Sequence, residues 1–215
     1  MSTLNPKNSL YRTVSAKRAV LFAVAAWVLA VGAGFSVLLK YEQTPGKPAA
    51  APVAWPTSAP VALASDKVNL LLFGHPQCTC TRASIAELER IVAKCQGRLK
   101  ATVFLLQPSD EADDWSKTAI WRNAAAIPGV QVAADRDGAT ALQFGAAVSG
   151  QVLLFSARGD LLFSGGITGS RGHEGDNAGS DAVVAAAFGR APWPAHTPVY
   201  GCSIFDPPPP PKTAL

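Results

Sequence analysis

The sequence predicts an α/β domain, a mixed central sheet flanked by helices, carried behind one N-terminal transmembrane helix. Three observations lead there. Val68 to Phe73 is an unbroken apolar run of the length of a strand buried on both faces. Arg82 to Gln96 then sets Ile85, Leu88, Ile91, Val92 and Cys95 at helical spacing, which gives one apolar stripe directly after that strand. Ala19 to Leu39 carries no charge and, at about 21 residues, is long enough to cross a bilayer as a helix.

Residues 1–18, with Lys7, Arg12, Lys17 and Arg18, precede the stretch 19–39, while Lys40, Glu42 and Lys47 follow it. The basic excess on the N-terminal side predicts a cytoplasmic N-terminus and a globular part beyond the cell inner membrane, in the periplasm. A cleaved signal peptide has a shorter apolar core and an A-x-A-like site. This stretch runs straight into Val37-Leu38-Leu39-Lys40, which favours an anchor. Residues 40–65 hold Pro45, Pro48, Pro52, Pro56 and Pro60 and read as an extended, semi-rigid linker that keeps the next domain off the membrane. The domain is expected over 66–205. Residues 206–215 form a Pro-rich tail, and Pro207 to Pro211 suits a solvated polyproline II end.

Within 66–205 the elements alternate. After strand 68–73 and helix 82–96, Leu99 to Leu106 reads as a second buried strand. Asp113 to Ala126 reads as a helix with an acidic start and a stop near Pro128-Gly129. Val130 to Ala134 is a short strand and Ala139 to Phe144 a short helix. Val152 to Phe155 and Leu161 to Phe163 are strands joined by Ala157-Arg158-Gly159-Asp160, a hairpin signal, and Asp181 to Phe188 is the last helix.

Chemistry concentrates at Cys78-Thr79-Cys80, where the buried strand turns into a helix. Unpaired amide groups and the positive end of the helix dipole stabilise an anion there, so the thiol pKa should fall. Cys78 is therefore the expected attacking thiolate, and Cys80 the thiol that resolves the mixed disulfide. A one-residue spacer leaves a Cys78–Cys80 disulfide little geometric freedom, so it should be easy to reduce. His75 lies three residues ahead and offers a cation, a proton relay or a metal ligand. Cys95 falls on the apolar stripe and reads as a buried structural thiol. Cys202, in a Pro-rich segment after the last helix, has three open roles: a partner for Cys95, a third redox thiol, or none. The loop 169–180 carries Arg171, His173, Glu174 and Asp176 among glycines, a composition suited to the rim of a site.

Other classes find no support. The formal charge of +4 owes much to the four basic residues ahead of the apolar stretch, and no basic cluster interleaved with aromatics follows, so no nucleic-acid partner is expected. Ser156 and Ser164 have no histidine at motif spacing, and the loop 169–180 lacks the spacing of a calcium loop or a P-loop.

The segments His75 to Ser84, Asp135-Arg136-Asp137-Gly138, Phe163 to Thr168, Arg171-Gly172-His173 and Thr197 to Cys202 together resemble the RedB-like group of membrane-anchored bacterial proteins with a thioredoxin-like fold. The resemblance implies that fold and thiol redox chemistry, and it adds weight to a redox or disulfide role for Cys202. Two departures stand out. Thioredoxins place two residues between their cysteines, and they usually carry a cis-proline where this chain has Ser149-Gly150-Gln151. That proline keeps metals off the thiols in thioredoxins, so its absence leaves metal binding open.

The sequence thus predicts a membrane-tethered periplasmic thiol–disulfide oxidoreductase with Cys78, Cys80 and His75 at its centre and Cys202 and His173 as auxiliary residues. No organic cofactor is implied. The expected partner is an exported thiol-bearing protein, such as an apocytochrome. The alternative is a copper(I)-binding protein of the same fold that uses His75, Cys78 and Cys80 as soft ligands, with His173 or Cys202 as a further ligand.

Overall fold

The computed structural model describes residues 6–109, 115 and 118–205, with side chains from residue 17 onward. Two units are present, one ending at Glu42 and the other beginning at Gln43. The first is a single helix, α1 (Pro6–Glu42). From Lys17 it is long and apolar enough to cross a membrane, and Leu21, Phe22, Trp27 and Phe35 are exposed around it.

The second unit is built on a five-stranded sheet. Its strands are β1 (Val68–Gly74), β2 (Leu99–Gln107), β3 (Val130–Arg136), β4 (Gln151–Phe155) and β5 (Leu161–Gly166), in the order β3-β2-β1-β4-β5. β1 runs parallel to β2 and β2 to β3, whereas β4 pairs antiparallel with both β1 and β5. The helices are α2 (Thr79–Cys95), α3 (Ala119–Ala126), α4 (Ala139–Gln143) and α5 (Ala178–Ala187). A βαβαβ start followed by an antiparallel hairpin and a helix, wound in this order, is the thioredoxin-like arrangement. The fold class read from the sequence is the one observed.

β1 lies at the centre, and its alternate side chains feed two cores. Leu70 and Leu72 pack with Leu88 and Ile91 of α2, Ile120 and Ala124 of α3, and Val183 of α5. Leu71 and Phe73 face the other way, into Phe104, Phe144, Leu153, Phe155 and Ile204. This second face is covered by α4, the C-terminal segment and part of the Pro/Ala-rich stretch.

That stretch is not the free spacer its composition suggests. Trp55 stands edge-on to Phe144 and Phe155, with centroids 5.4 and 5.2 Å away. Trp55 N donates to Gly159 O at 2.7 Å, and Leu161 N donates to Val53 O at 2.9 Å, so the segment pairs with the β4–β5 hairpin. Asn69 closes its far end by accepting from Ala64 N and donating to Ala64 O. Prolines set an extended chain here, and the apolar residues between them lay it on the open face of the sheet.

Several helices start elsewhere than their apolar pattern suggests. α2 begins three residues earlier, at Thr79, which makes Cys78 its N-cap. α3 begins at Ala119, where the Thr118 hydroxyl accepts from Trp121 N. The acidic start at Asp113-Asp114 and the tail 206–215 lie outside the described residues. α5 begins at Ala178, capped by the Asn177 side chain. The short helix α4 is held by buried Asp135, whose carboxylate accepts from Thr140 N at 2.7 Å and Ala141 N at 2.8 Å.

Candidate functional site

β1 ends at Gly74 and the chain turns through His75-Pro76-Gln77 into α2. Cys78 N donates to His75 O at 3.1 Å, and Arg82 N closes the first helical turn on Cys78 O at 3.2 Å. The turn is fixed from the other side by Ser149, whose hydroxyl accepts from His75 N at 3.2 Å. Ser149 begins the approach to β4. Gly150 follows with φ +88°, and a Cβ there would lie 2.6 Å from Ser84 Oγ, so only glycine lets this loop press against α2.

The C-terminal segment then crosses the same loop. Ser149 N donates to Cys202 O at 2.8 Å, and Ile204 N donates to Ala147 O at 2.9 Å, around an antiparallel bridge between Val148 and Ser203. A Cβ on Gly201 would come within 1.9 Å of Ser149 O, which shows how closely the two backbones approach. The result is that Cys202 arrives beside α2. The Sγ atoms of Cys78, Cys80 and Cys202 all lie within 4.8 Å of one another. All are free thiols, with Cys80 buried, Cys78 partly buried and Cys202 exposed.

Electrostatics separates their roles. The Cys80 thiol donates a hydrogen bond to Cys78 sulfur, and the amides of Thr81, Cys80 and Cys202 add to it. Together they outweigh the cost of burial and pull the Cys78 pKa from 9.0 to about 4. Cys80 is pushed up, first by that same hydrogen bond and then by burial, so it keeps its proton. Cys202 is also pushed up, chiefly by burial, against the pull of Arg171, whose Nη1 donates to Cys202 Sγ at 3.9 Å. At neutral pH one thiolate thus sits between two thiols.

His75 Nδ1 accepts from Gln77 N at 3.2 Å, and its ring lies 4.9 Å from that of Trp115. Burial lowers its pKa against the opposing field of Cys78, so a neutral imidazole borders the thiolate rather than a cation. His173 does not join the thiols: it is exposed, and its Nδ1 contacts Arg171 O at 2.9 Å. Its loop is also less free than its glycines suggest. Buried Glu87 of α2 accepts from Gly175 N at 2.5 Å and pairs with Arg90, which reaches on to Glu174 at 2.8 Å. Cys95 is fully buried in the core, away from the thiol cluster.

An open groove of about 700 Å³ runs past the site, lined by His75, Cys78, Leu106, Trp115, Cys202 and Ile204. Another, of about 740 Å³, is lined by Lys67, Arg98, Arg158 and Arg190 at the far end of β1 and holds no thiol or histidine. Sequence reasoning missed Trp115, the hydrogen bond of Ser149 to His75 and the contact of Arg171 with Cys202. Ser149 carried a signal as part of the segment in place of the cis-proline, and Arg171 as part of a motif in the resemblance and of the loop 169–180.

No protein-family model matches the chain, and no curated protein matches it in sequence. Among solved structures it is similar to an uncharacterized conserved protein from Geobacillus kaustophilus, 18% identical over 75% of this chain and 91% of that one, with a TM-score of 0.54. It is also similar to a hypothetical protein from Sinorhizobium meliloti, 20% identical over 75% and 93% of the two chains, TM-score 0.52. A secreted Mycobacterium tuberculosis disulfide oxidoreductase aligns over 46% of this chain and 68% of its own, at 16% identity and a TM-score of 0.36. At these identities the likeness is one of fold.

Proposed function

We propose that this protein is a membrane-tethered thiol–disulfide oxidoreductase whose domain works in the periplasm. One observation carries the reading: a thiolate at the N-cap of α2 with two further sulfurs within 4.8 Å. Cys78 attacks a disulfide, its own sulfur joins the nearer substrate sulfur, and the other leaves as a thiolate. A second cysteine of this chain then attacks Cys78 and releases the reduced substrate. The groove beside Cys78 suits an extended, cysteine-bearing segment of an exported protein. The RedB-like resemblance agrees with this chemistry. The test is catalysis by the full-length protein in detergent, measured as reduction of a protein disulfide by dithiothreitol above the uncatalysed rate. Catalysis supports the proposal, and the uncatalysed rate alone overturns it.

For location, Lys7, Arg12, Lys17 and Arg18 ahead of the apolar stretch 19–39 and the length of the helix support an anchor with the domain outside the cytoplasm. A periplasm-dependent reporter fused after Leu215 is expected to be active, and a cytoplasm-dependent one inactive. The reverse pattern would overturn the localisation.

A second reading is favoured by the same thiol cluster. Three sulfurs at this spacing suit a soft, trigonal ion such as copper(I), and the backbone at Ser149-Gly150 brings no proline between them. Cys78, Cys80 and Cys202 would hold the ion as thiolates. Of the ligands the sequence suggested, Cys78, Cys80 and Cys202 form this set, and His75 and His173 lie outside it. Stoichiometric copper(I) binding without disulfide turnover would favour this reading.

A further inference from the structure

Resting on the oxidoreductase reading, we propose that Cys202 is a second resolving thiol, so that Cys78 forms alternative disulfides with Cys80 and with Cys202. The C-terminal segment is docked as a built-in strand on the Ala147–Ser149 loop, and the docking places one cysteine at the attacking thiolate. Backbone hydrogen bonds on both sides of Cys202 fix its height over the site. Its sulfur is within 4.8 Å of Cys78 Sγ, and a disulfide requires that gap to close to roughly 2.0 Å. Arg171 is anchored on Thr44 O at 3.2 Å and points its Nη1 at the Cys202 sulfur, where it stabilises a thiolate as one forms.

The two resolving thiols differ in access. Cys80 is buried under the loop at Gly150, whereas Cys202 is exposed at the edge of the groove. When Cys78 is bonded to a substrate sulfur its charge no longer opposes ionisation of Cys202, whose thiol gives its proton to solvent. The resulting thiolate attacks Cys78 Sγ, the Cys78–Cys202 bond forms, and the substrate sulfur leaves with the electron pair and takes up a proton. The substrate disulfide has then been reduced by two electrons, and Cys78 and Cys202 have been oxidised by two. In the return step an external dithiol attacks exposed Cys202, and Cys78 leaves as the more stable thiolate. The second thiol of the dithiol then attacks the mixed disulfide, frees Cys202 as a thiolate and closes the reagent's own disulfide. A low-pKa leaving group makes this route fast. Electrons enter at Cys202 and leave at Cys78, and the buried Cys80 serves mainly as hydrogen-bond donor to the thiolate.

The test uses full-length protein with oxidised glutathione as probe, and the mixed disulfide is quantified by mass spectrometry. Cys80→Ser is expected to accumulate little glutathione adduct, because Cys202 resolves it into a Cys78–Cys202 disulfide. Cys80→Ser combined with Cys202→Ser is expected to accumulate about tenfold more adduct on Cys78. Equal, high trapping by the single and double variants would overturn the role of Cys202 while leaving Cys78 as nucleophile. No adduct on Cys78 in either would overturn both this inference and the oxidoreductase reading. Native circular dichroism of the variants guards against loss of fold, and a Cys78–Cys202 peptide from oxidised wild-type protein supplies an independent readout. Its absence, with only Cys78–Cys80 found, would also overturn the proposal.

Discussion

Cys78→Ser is expected to abolish disulfide reduction, a loss on the order of a thousandfold or more, because the side chain that bonds to the substrate is gone. Neither neighbour can take over. Cys80 is buried out of a substrate's reach, and Cys202 lies outside the first turn of α2 and is raised chiefly by its own partial burial. A serine at the α2 N-cap offers a hydroxyl that can accept from the first-turn amides, so the fold should persist. Cys95→Ser is the control. That side chain has no exposed surface and touches none of the three thiols, so its replacement is expected to lower stability and leave catalysis per folded molecule unchanged. If Cys78→Ser retained a tenth or more of the rate, roughly, the nucleophile would have to be sought elsewhere.

The second large effect is in pH dependence. Reduced Cys78 ionises at about 4 rather than 9.0, so its alkylation by iodoacetamide should stay near its plateau from pH 8 to pH 5 and fall only near pH 4. An ordinary thiol would already be mostly silent at pH 7. The same shift is a statement about stability. A group whose folded pKa is depressed contributes fully above its unfolded pKa, and the contribution shrinks as pH falls and disappears below the folded value. For Cys78 that window runs from 9.0 down to about 4, and stability falls as pH drops through it. His75, pushed below 6.5 by burial, acts in the same direction on the acid side. Cys80, pushed upward, opposes them only above 9.0. Comparing denaturant midpoints of reduced and oxidised protein isolates the thiol contribution, because groups such as Asp135 titrate in both. Cys80→Ala removes the donor that contributes most to the shift and should raise the alkylation midpoint. Cys80→Ser keeps a hydroxyl donor and should raise it less. A wild-type midpoint near 9 would refute the thiolate.

Much of this was legible in the chain because the signals were local. The apolar run of β1, the stripe of α2 and the turn between β4 and β5 each sit within a few residues, and they fixed the fold class. The stripe also placed Cys95 in the core. The start of α2 was less visible: its first turn, Thr79 to Arg82, shows no apolar phase, and a cysteine is not a customary cap. Two features depended on distant contacts and left almost no trace. Trp55 covers the sheet only because Phe144 and Phe155, some 90 to 100 residues later, leave an aromatic face open to it. Cys202 reaches Cys78 only because Gly201 and Gly150 let three backbones come together. The Gly165-Gly166 pair, poor strand residues on propensity, extends β5 because a Cβ at either would strike the backbone of Thr197 or Pro198. Such residues look like loop in one dimension and are read correctly only once the neighbouring segment is in place.

The central claim is that these thiols form a reversible redox centre whose reduced form is held by the stabilised Cys78 thiolate, so that its disulfide is an oxidant. It is tested most directly by equilibrating full-length protein in glutathione buffers of graded ratio and counting free thiols by mass after acid quenching. The account predicts that two thiols disappear together and return on reversal, with a midpoint more oxidising than about −200 mV, and that Cys78→Ser removes the transition. If Cys78, Cys80 and Cys202 stay reduced across the whole range, or if they respond only by binding copper(I), the redox centre does not exist and the metal site takes its place.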